Sequence, residues 1–396
     1  MYYSVKEQVD KMKIMISAGE ASGDMHAGAL VREIKKIDSK AEVFGMGGDC
    51  LRNAGGEVLF DIKEHGVMGI FEVIKKLPQL FKLRDDMARV MDERRPDVLV
   101  VIDYPEFNMR LAKVAKSKGI PIVSFIAPSA WVWRKGRAKG ISELVDKITS
   151  IFPMEYDCYK EAGADIEFVG HPLMDIVKPT KTKEETRAKL GIDESNKIVL
   201  LLPGSRLQEI KNMLPQMLKT AKIMKAKDPS LEFIMPRANT IPKEMLTSAL
   251  KEYDTNYVRI TEEETYDLMN ISDVAVATSG TVTLEAAILE LPCVICYKTS
   301  ALTAFIARSV IGIKTIGLPN IVAGRIVMPE LLQETMTPEN MAKEAFNLIK
   351  GPGAIQAKLD LKEVHRKLGE EGALKKVAEI TFKVANEKSP NLKLLK

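Results

Sequence analysis

Cysteine is scarce in this chain. Cys50, Cys158, Cys293 and Cys296 are the four in 396 residues, too few for a disulfide framework at this length, and a reducing cytoplasm is the expected compartment. Cys293-Val-Ile-Cys296 has the spacing of a redox or zinc pair. It lies, however, in Pro-Cys-Val-Ile-Cys-Tyr, which reads as a buried strand, where residues three apart point to opposite faces. No second Cys/His cluster completes a zinc site, so both thiols are read as structural. Long apolar runs are missing too. No stretch reaches about 18 uninterrupted apolar residues, which excludes a bilayer-spanning helix, and residues 1–12 are mixed and charged, unlike a signal peptide. Any membrane contact is therefore expected to be peripheral. Neither sign of charge dominates: 58 Lys+Arg against 54 Asp+Glu leave a net +4. That is too little to imply nucleic acid, though it suits anionic substrates or an acidic membrane surface. Low-complexity tracts and short-period repeats are absent.

What is present is an ordinary soluble composition, 46% hydrophobic and 28% charged, over a length that calls for two domains. The stretch 272–292 organises the second half. Val274 to Ala277 read as a short buried strand, Thr278-Ser279-Gly280-Thr281 as a polar turn, and Leu284, Ala287, Ile288 and Leu291 as a helix stopped by Pro292. Such a turn aims free backbone N–H groups and a positive helix end at one spot, which suits a phosphate. Glu285, one turn on, is placed to accept hydrogen bonds from sugar hydroxyls. An ordinary βα turn with a capping Thr and a solvated Glu gives the same pattern. A second unit, strand 197–202 followed by Pro203-Gly204-Ser205-Arg206, supplies a close-approach glycine, a capping serine and an arginine that can meet an anionic oxygen. Together the two turns make a candidate nucleotide-diphosphate cradle. Strands at 232–235, 257–260 and 293–297 alternate with helices, which means a parallel sheet. Gly317 to Arg325 is a polar loop in which Asn320 is a candidate ligand contact.

The first half repeats the theme. Strand 13–18 leads into Gly19-Glu20-Ala21-Ser22-Gly23-Asp24, which is not the Gly-x-Gly-x-x-Gly fingerprint. Residues 97–102 form a buried strand ending in Asp103, a candidate general base because strand carboxyl ends face the ligand crevice in open α/β sheets; an Asp capping the next helix is the alternative. Residues 67–83 are apolar over more than one helical stripe, edged by Lys75, Lys76, Lys82 and Arg84, with Pro78 expected to kink or divide them. They fit an interfacial membrane helix or a helix sandwiched in the core. Both tryptophans fall at 131–133, before the basic run 134–139, where aromatic faces can hold a sugar ring or acyl chain. His171 sits in a turn where the first half hands over. Residues 172–193 read as a charged linker, and the tail from about Lys388 is expected to fray.

With these residues in hand, the chain resembles the lipid-A-disaccharide synthases. The matching stretches are Gly19-Glu-Ala-Ser-Gly-Asp24, Val67-Met-Gly69, Ile102-Asp-Tyr-Pro-Glu-Phe-Asn108, Pro128-Ser-Ala-Trp-Val-Trp133, Val169-Gly-His-Pro172, Leu202-Pro-Gly-Ser-Arg206, Thr278-Ser-Gly-Thr281 with Glu285, and Leu318-Pro-Asn320 with Ala323-Gly-Arg325. They run in family order over nearly the whole length. Each is weak singly, and together they are specific. Tyr104 and Glu106 stand where some relatives have Ala and Asp; Asp103 is kept, so little effect on reaction type is expected.

The resemblance implies an α/β protein with the glycosyltransferase-B fold, two Rossmann-like domains facing across a cleft. It implies an N-terminal acceptor and membrane-facing domain at 1–175, a UDP-sugar domain at 176–345, and C-terminal helices at 346–396 that cross back or are exchanged in a homodimer. The implied reaction is inverting transfer of 2,3-diacylglucosamine from UDP to the 6-hydroxyl of 2,3-diacylglucosamine 1-phosphate, at the cytoplasmic surface of the inner membrane. Asp103 is then the base. Ser205, Arg206, Ser279, Gly280, Thr281, Glu285 and Asn320 would bind UDP. Glu20, Ser22, Asp24, Met68, Trp133 and His171 would line the acceptor side, and Val67, Ile70, Phe71, Ile74 and Leu77 would touch the membrane. The chain contains no Asp-x-Asp, so neither metal nor cofactor is expected, nor a nucleic-acid partner. A UDP-sugar 2-epimerase of the same fold, or a non-catalytic nucleotide-binding protein, is the rival.

Overall fold

The computed structural model describes residues 11–65, 70–128, 135–238, 240–298 and 315–393. The chain divides into two compact units, one of residues 1–175 and 369–396, the other Ile176–Leu368. Residues 346–396, expected as one block of helices, thus part company at Leu368.

In unit one the strands are β1 (Lys13–Ala18), β2 (Glu42–Gly47), β3 (Glu57–Asp61), β4 (Val98–Ile102), β5 (Ile122–Phe125), β6 (Lys147–Ser150) and β7 (Ile166–Phe168). Among the described residues they form one sheet in the order β3-β2-β1-β4-β5-β6-β7, parallel throughout. The central strands are mostly apolar, and β4 is so along its whole length, every residue of it buried. That is the pattern of a sheet covered by helices on both faces. Helix Ile70–Arg94 runs straight on in sequence through Pro78, so the expected division there does not occur, and Leu83, Met87 and Met91 on it enter the core.

The C-terminal segment belongs to this unit. Gly369, at φ +89°, passes so close to Gly170 that a Cβ would stand 3.1 Å from its Cα. Asp175 then caps helix Ala373–Lys388, accepting from Gly372 N at 2.5 Å and Leu374 N at 2.9 Å. That helix packs on helix Ala21–Ile37 and on β4 and β5. Among the described residues the expected fraying from Lys388 is not seen, and Pro390–Lys393 is helical. Ser389 is buried and donates to Asp97 Oδ1 at 3.0 Å, while Asp97 Oδ2 takes Lys13 N. Two buried polar bonds outweigh the fraying tendency of a chain end.

Unit two contains β8 (Ile198–Leu202), β9 (Glu232–Pro236), β10 (Val258–Thr261), β11 (Val274–Thr278), β12 (Cys293–Tyr297) and β13 (Glu330–Leu332), parallel and in the order β10-β9-β8-β11-β12-β13. Cys293 and Cys296 are both buried in β12, where burial pushes the Cys293 thiol up to about 12. The linker-like 172–193 is in fact built. Helix Lys183–Leu190 has a capping box on Thr182 and an αL glycine, Gly191, at its end. Ahead of it, buried Asp267 accepts from Thr180 N at 2.6 Å, Thr180 Oγ1 at 2.8 Å and Lys181 N at 3.0 Å. Of the charges that suggested a solvated linker, Lys181 is an anchor, its Nζ 3.1 Å from both Glu263 Oε2 and Asp267 Oδ2.

Candidate active site

A parallel α/β sheet binds ligands outside the carboxyl ends of the two strands where its order reverses, because the following loops diverge to opposite faces and leave a crevice. In unit one that point lies between β1 and β4, so the residues it offers are Gly19-Glu20 and Asp103-Tyr104. In unit two it lies between β8 and β11, offering Pro203 to Arg206 and Thr278 to Thr281.

Asp103 and Tyr104 both take left-handed backbone, each at φ +48°. Neither is glycine, so each costs about 1–3 kcal/mol and needs outside support. Asn108 supplies it, donating from Nδ2 to Asp103 O at 2.7 Å, Ser17 O at 3.1 Å and Ile102 O at 3.2 Å, while its Oδ1 accepts from Ser17 Oγ at 2.6 Å. The Tyr104 ring covers Gly19, where a Cβ would be 2.1 Å from it, so only glycine fits there without moving the ring. Burial raises the Asp103 carboxyl above its ordinary range, partly offset by the Tyr104 backbone N–H. A raised carboxyl holds a proton more strongly and is the better base.

Around it the acceptor-side residues separate. Glu20 is exposed at the N-cap of helix Ala21–Ile37 and Ser22 is half-buried in its first turn. Asp24 is buried and occupied: it accepts from Gly48 N at 2.7 Å, Cys50 N at 2.9 Å and Leu51 N at 3.1 Å, capping helix Asp49–Asn53. Its carboxylate stands where a ligand anion would, so its part is to hold this loop. His171 turns inward. It is 4% exposed, its Nδ1 accepts from Leu173 N at 3.2 Å, and its ring packs 4.9 Å from that of Phe152. Burial, with His26 beside it, lowers its pKa to about 3, and burial lowers His26 to about 4. Both are neutral core histidines, which corrects the placement of His171 in the cleft. Val67, Met68 and Trp133 lie outside the described residues. Ile70, Phe71, Ile74 and Leu77 fall on helix Ile70–Arg94, their side chains outside what is described.

In unit two the two helix N-termini are not equivalent. At helix Leu207–Lys227 the Glu209 carboxylate accepts from Ser205 N at 3.0 Å and Arg206 N at 3.3 Å, and binds Arg206 Nη1 at 2.8 Å. The N–H groups of Ser205 and Arg206 are thus already taken, and the cap is Glu209 where Ser205 was expected to cap. At helix Thr281–Ile288 no side chain caps the start and no acidic residue sits in the first turn. A Cβ on exposed Gly280 would meet nothing within 4 Å. This end is open to an anion. Ser279 closes its floor, with N to Cys296 O at 2.8 Å and Oγ to Ile316 O at 3.4 Å, and Thr278 Oγ1 is buried there without a partner among the described residues. Burial raises Glu285 to about 7, and the Tyr266 hydroxyl donates toward it.

Asn320 is corrected as a ligand contact. Nδ2 donates to Met328 O at 2.8 Å and Glu330 Oε1 at 2.6 Å; Oδ1 accepts from Val327 N at 2.7 Å and Met328 N at 2.8 Å. All four of its hydrogen-bonding positions are used. With Glu330, which also takes Ile316 N and Gly317 N at 2.9 Å each, it shapes the loop that touches Ser279. Asn108 lies in the 102–108 stretch that the sequence already marked out beside Asp103, and its part is structural; Glu209, Glu330 and Tyr266 were not singled out from sequence. Only Glu209 left a signal, the capping-box spacing from Arg206.

Residues 14–384 match the family model of the lipid-A-disaccharide synthetases. The lipid-A-disaccharide synthase of Syntrophus aciditrophicus is 40% identical over 366 residues, 92% of this chain and 96% of that one. That of Geobacter metallireducens is 38% identical over 377 residues, 95% and 98%. Among solved structures, the UDP-GlcNAc 2-epimerase of Neisseria meningitidis bound to UDP-GlcNAc superposes with a TM-score of 0.67 at 14% identity, covering 94% of this chain and 100% of that one. MurG of Acinetobacter baumannii gives 0.58 at 14% identity, covering 94% and 100%. At such identities the structures speak for the fold alone.

Proposed function

The chain belongs to the lipid-A-disaccharide synthase family of glycosyltransferases, and on that premise we propose that it transfers 2,3-diacylglucosamine from UDP to the 6-hydroxyl of 2,3-diacylglucosamine 1-phosphate. The hydroxyl attacks the anomeric carbon from the face opposite UDP. Asp103 takes its proton as the new C–O bond forms and the bond to the diphosphate breaks, which gives inversion in one displacement. Negative charge on the departing UDP meets Arg206 and the open start of helix Thr281–Ile288, while Glu285 receives ribose hydroxyls. Ser205 contributes through its side chain, and Asn320 through its loop. No metal or cofactor enters.

The observation that carries this is Asp103: a half-buried carboxyl with a raised pKa at the switch point, on strained backbone braced by Asn108. Strain kept at a strand end over a crevice is characteristic of a working residue. The test is UDP release from UDP-diacylglucosamine with and without the acylated acceptor. Release only with acceptor supports transfer. A 2-epimer formed without acceptor would favour the epimerase reading, and UDP binding without turnover the non-catalytic one.

Both substrates are acylated, so the enzyme works at a lipid surface, the cytoplasmic face of the inner membrane, through residues 67–77. No helix among the described residues is long and apolar enough to cross a membrane. Just beyond that stretch Phe81 is 39% exposed, with the Arg84 and Arg110 guanidiniums 5.2 and 5.3 Å from its ring, an aromatic-cationic edge suited to a headgroup layer. Replacing Ile70, Phe71 and Ile74 by Ser is expected to raise detergent-free solubility with the fold intact; loss of the fold would make them core. The homodimer belongs to the same reading, and light scattering in detergent tests it.

A further inference from the structure

Gly204 stands at φ +109°, and a Cβ there would be 2.4 Å from Glu209 Oε2. Any side chain at position 204 would collide with that carboxylate, so the turn packs glycine against Glu209. Glu209 is anchored and Arg206 is presented: their side chains are 19% and 62% exposed. Glu209 Oε2 holds the backbone at Ser205 and Arg206, and Oε1 holds one guanidinium nitrogen. The other guanidinium nitrogens have no partner among the described residues, on a side chain that is largely exposed. A planar guanidinium held at one nitrogen has its freedom reduced before an anion docks, so less side-chain entropy is lost on binding.

We propose that Glu209 is a positioning residue for the donor nucleotide: it closes the start of helix Leu207–Lys227 to phosphate and fixes Arg206 so that its outer edge meets the diphosphate held at Gly280–Thr281. This rests on the reading that Arg206 binds the diphosphate. The same contacts also admit the contrary effect. A carboxylate bound to an arginine competes with any phosphate for it, so a purely competing Glu209 would weaken UDP binding, and its removal would tighten it.

The experiment is calorimetric titration of the full chain with UDP and with uridine, for the wild type, Glu209→Gln, Glu209→Ala, Arg206→Ala and the Arg206→Ala/Glu209→Ala pair. Glu209→Gln keeps the side chain's size and one acceptor, so it reports on the charge without emptying the turn. Loss of a charge-assisted bond predicts UDP weakened about five- to tenfold in Glu209→Gln and more in Glu209→Ala, with uridine unchanged. The double variant should bind UDP no more weakly than Arg206→Ala, because Glu209 acts through Arg206. Unchanged or tighter UDP binding in Glu209→Gln overturns the proposal. So does an equal loss for uridine, which would make Glu209 a fold-holding cap only, or fully additive losses in the pair. Arg206→Ala with wild-type UDP affinity would instead remove the underlying reading of Arg206.

Discussion

Lowering the pH from 7 to 5 should move the stabilities of the two units in opposite directions. In unit one, burial sets His26 to about 4 and His171 to about 3, against 6.5 in an unfolded chain. A histidine with a lowered folded pKa stays neutral in the native state while the unfolded chain takes up a proton. Its contribution is intact above 6.5 and is lost progressively as the pH falls toward the folded value. Relative to pH 7, each group withdraws roughly 2 kcal/mol by pH 5, about 4 kcal/mol for the pair. Asp103, raised by burial in the same unit, acts in the contrary direction and reduces this total. In unit two Glu285 is raised to about 7 against 4.5 unfolded. It takes up its proton in the native state first, so unit two gains at most about 2 kcal/mol over the same interval. The carboxylates held low by exposed ion pairs, such as Asp228 at about 2, titrate largely below this window.

The measurement is denaturant-dependent hydrogen exchange read by mass spectrometry, following peptides from β1 and β4 against peptides from β8 and β11 at both pH values. Unit one's transition should fall to lower denaturant at pH 5 while unit two's does not fall. The pH slope of unit one should largely vanish in the double variant His26→Gln/His171→Asn, in which the oxygen of the introduced carboxamide can replace Nδ1 as acceptor for Leu173 N. Transitions that shift together, or an acid slope unchanged in the double variant, would refute the assignment of that slope to the buried histidines.

Three further outcomes follow from the site. Asp103→Asn should abolish transfer while UDP affinity stays at the wild-type value; retained turnover would remove Asp103 as base. Asn108→Ala leaves three backbone carbonyls and Ser17 without their partner, so it should cost about 2–4 kcal/mol in unit one and most of kcat, with UDP affinity kept; unchanged kcat would separate the strained backbone from catalysis. Asp175→Ala uncaps helix Ala373–Lys388 and should lower the stability of unit one by about 1–2 kcal/mol without altering UDP binding, measured by the same exchange experiment.

What the sequence disclosed and what it hid divide along a physical line. Runs such as Val98-Leu-Val-Val-Ile102 and Val274-Ala-Val-Ala277 announce strands because a sheet covered on both faces favours apolar residues at every position, and their order along the chain implies parallel pairing. The short outer strands, β3 and β13, carry no such run: β3 is half-buried along most of its length and β13 is three residues long. The turns were legible as places, since Gly204 and Gly280 punctuate strand and helix. Their chemistry was not. Whether a turn's N–H groups await a ligand or are already satisfied depends on one side chain folding back, and only the structure separates the start of helix Leu207–Lys227, filled by Glu209, from that of Thr281–Ile288, which is open. The same distinction removes Asp24 and Asn320 from the ligand contacts: a polar residue near a crevice serves the ligand only with the valences the protein leaves it, and both have none to spare. Asp103 differs in kind. Its backbone carbonyl and N–H are bound, its neighbour is braced, and its carboxyl is the group in this turn on which the fold makes little demand. A residue held so firmly by its main chain, with its side chain left to work, is the one on which the proposed transfer rests and which Asp103→Asn tests.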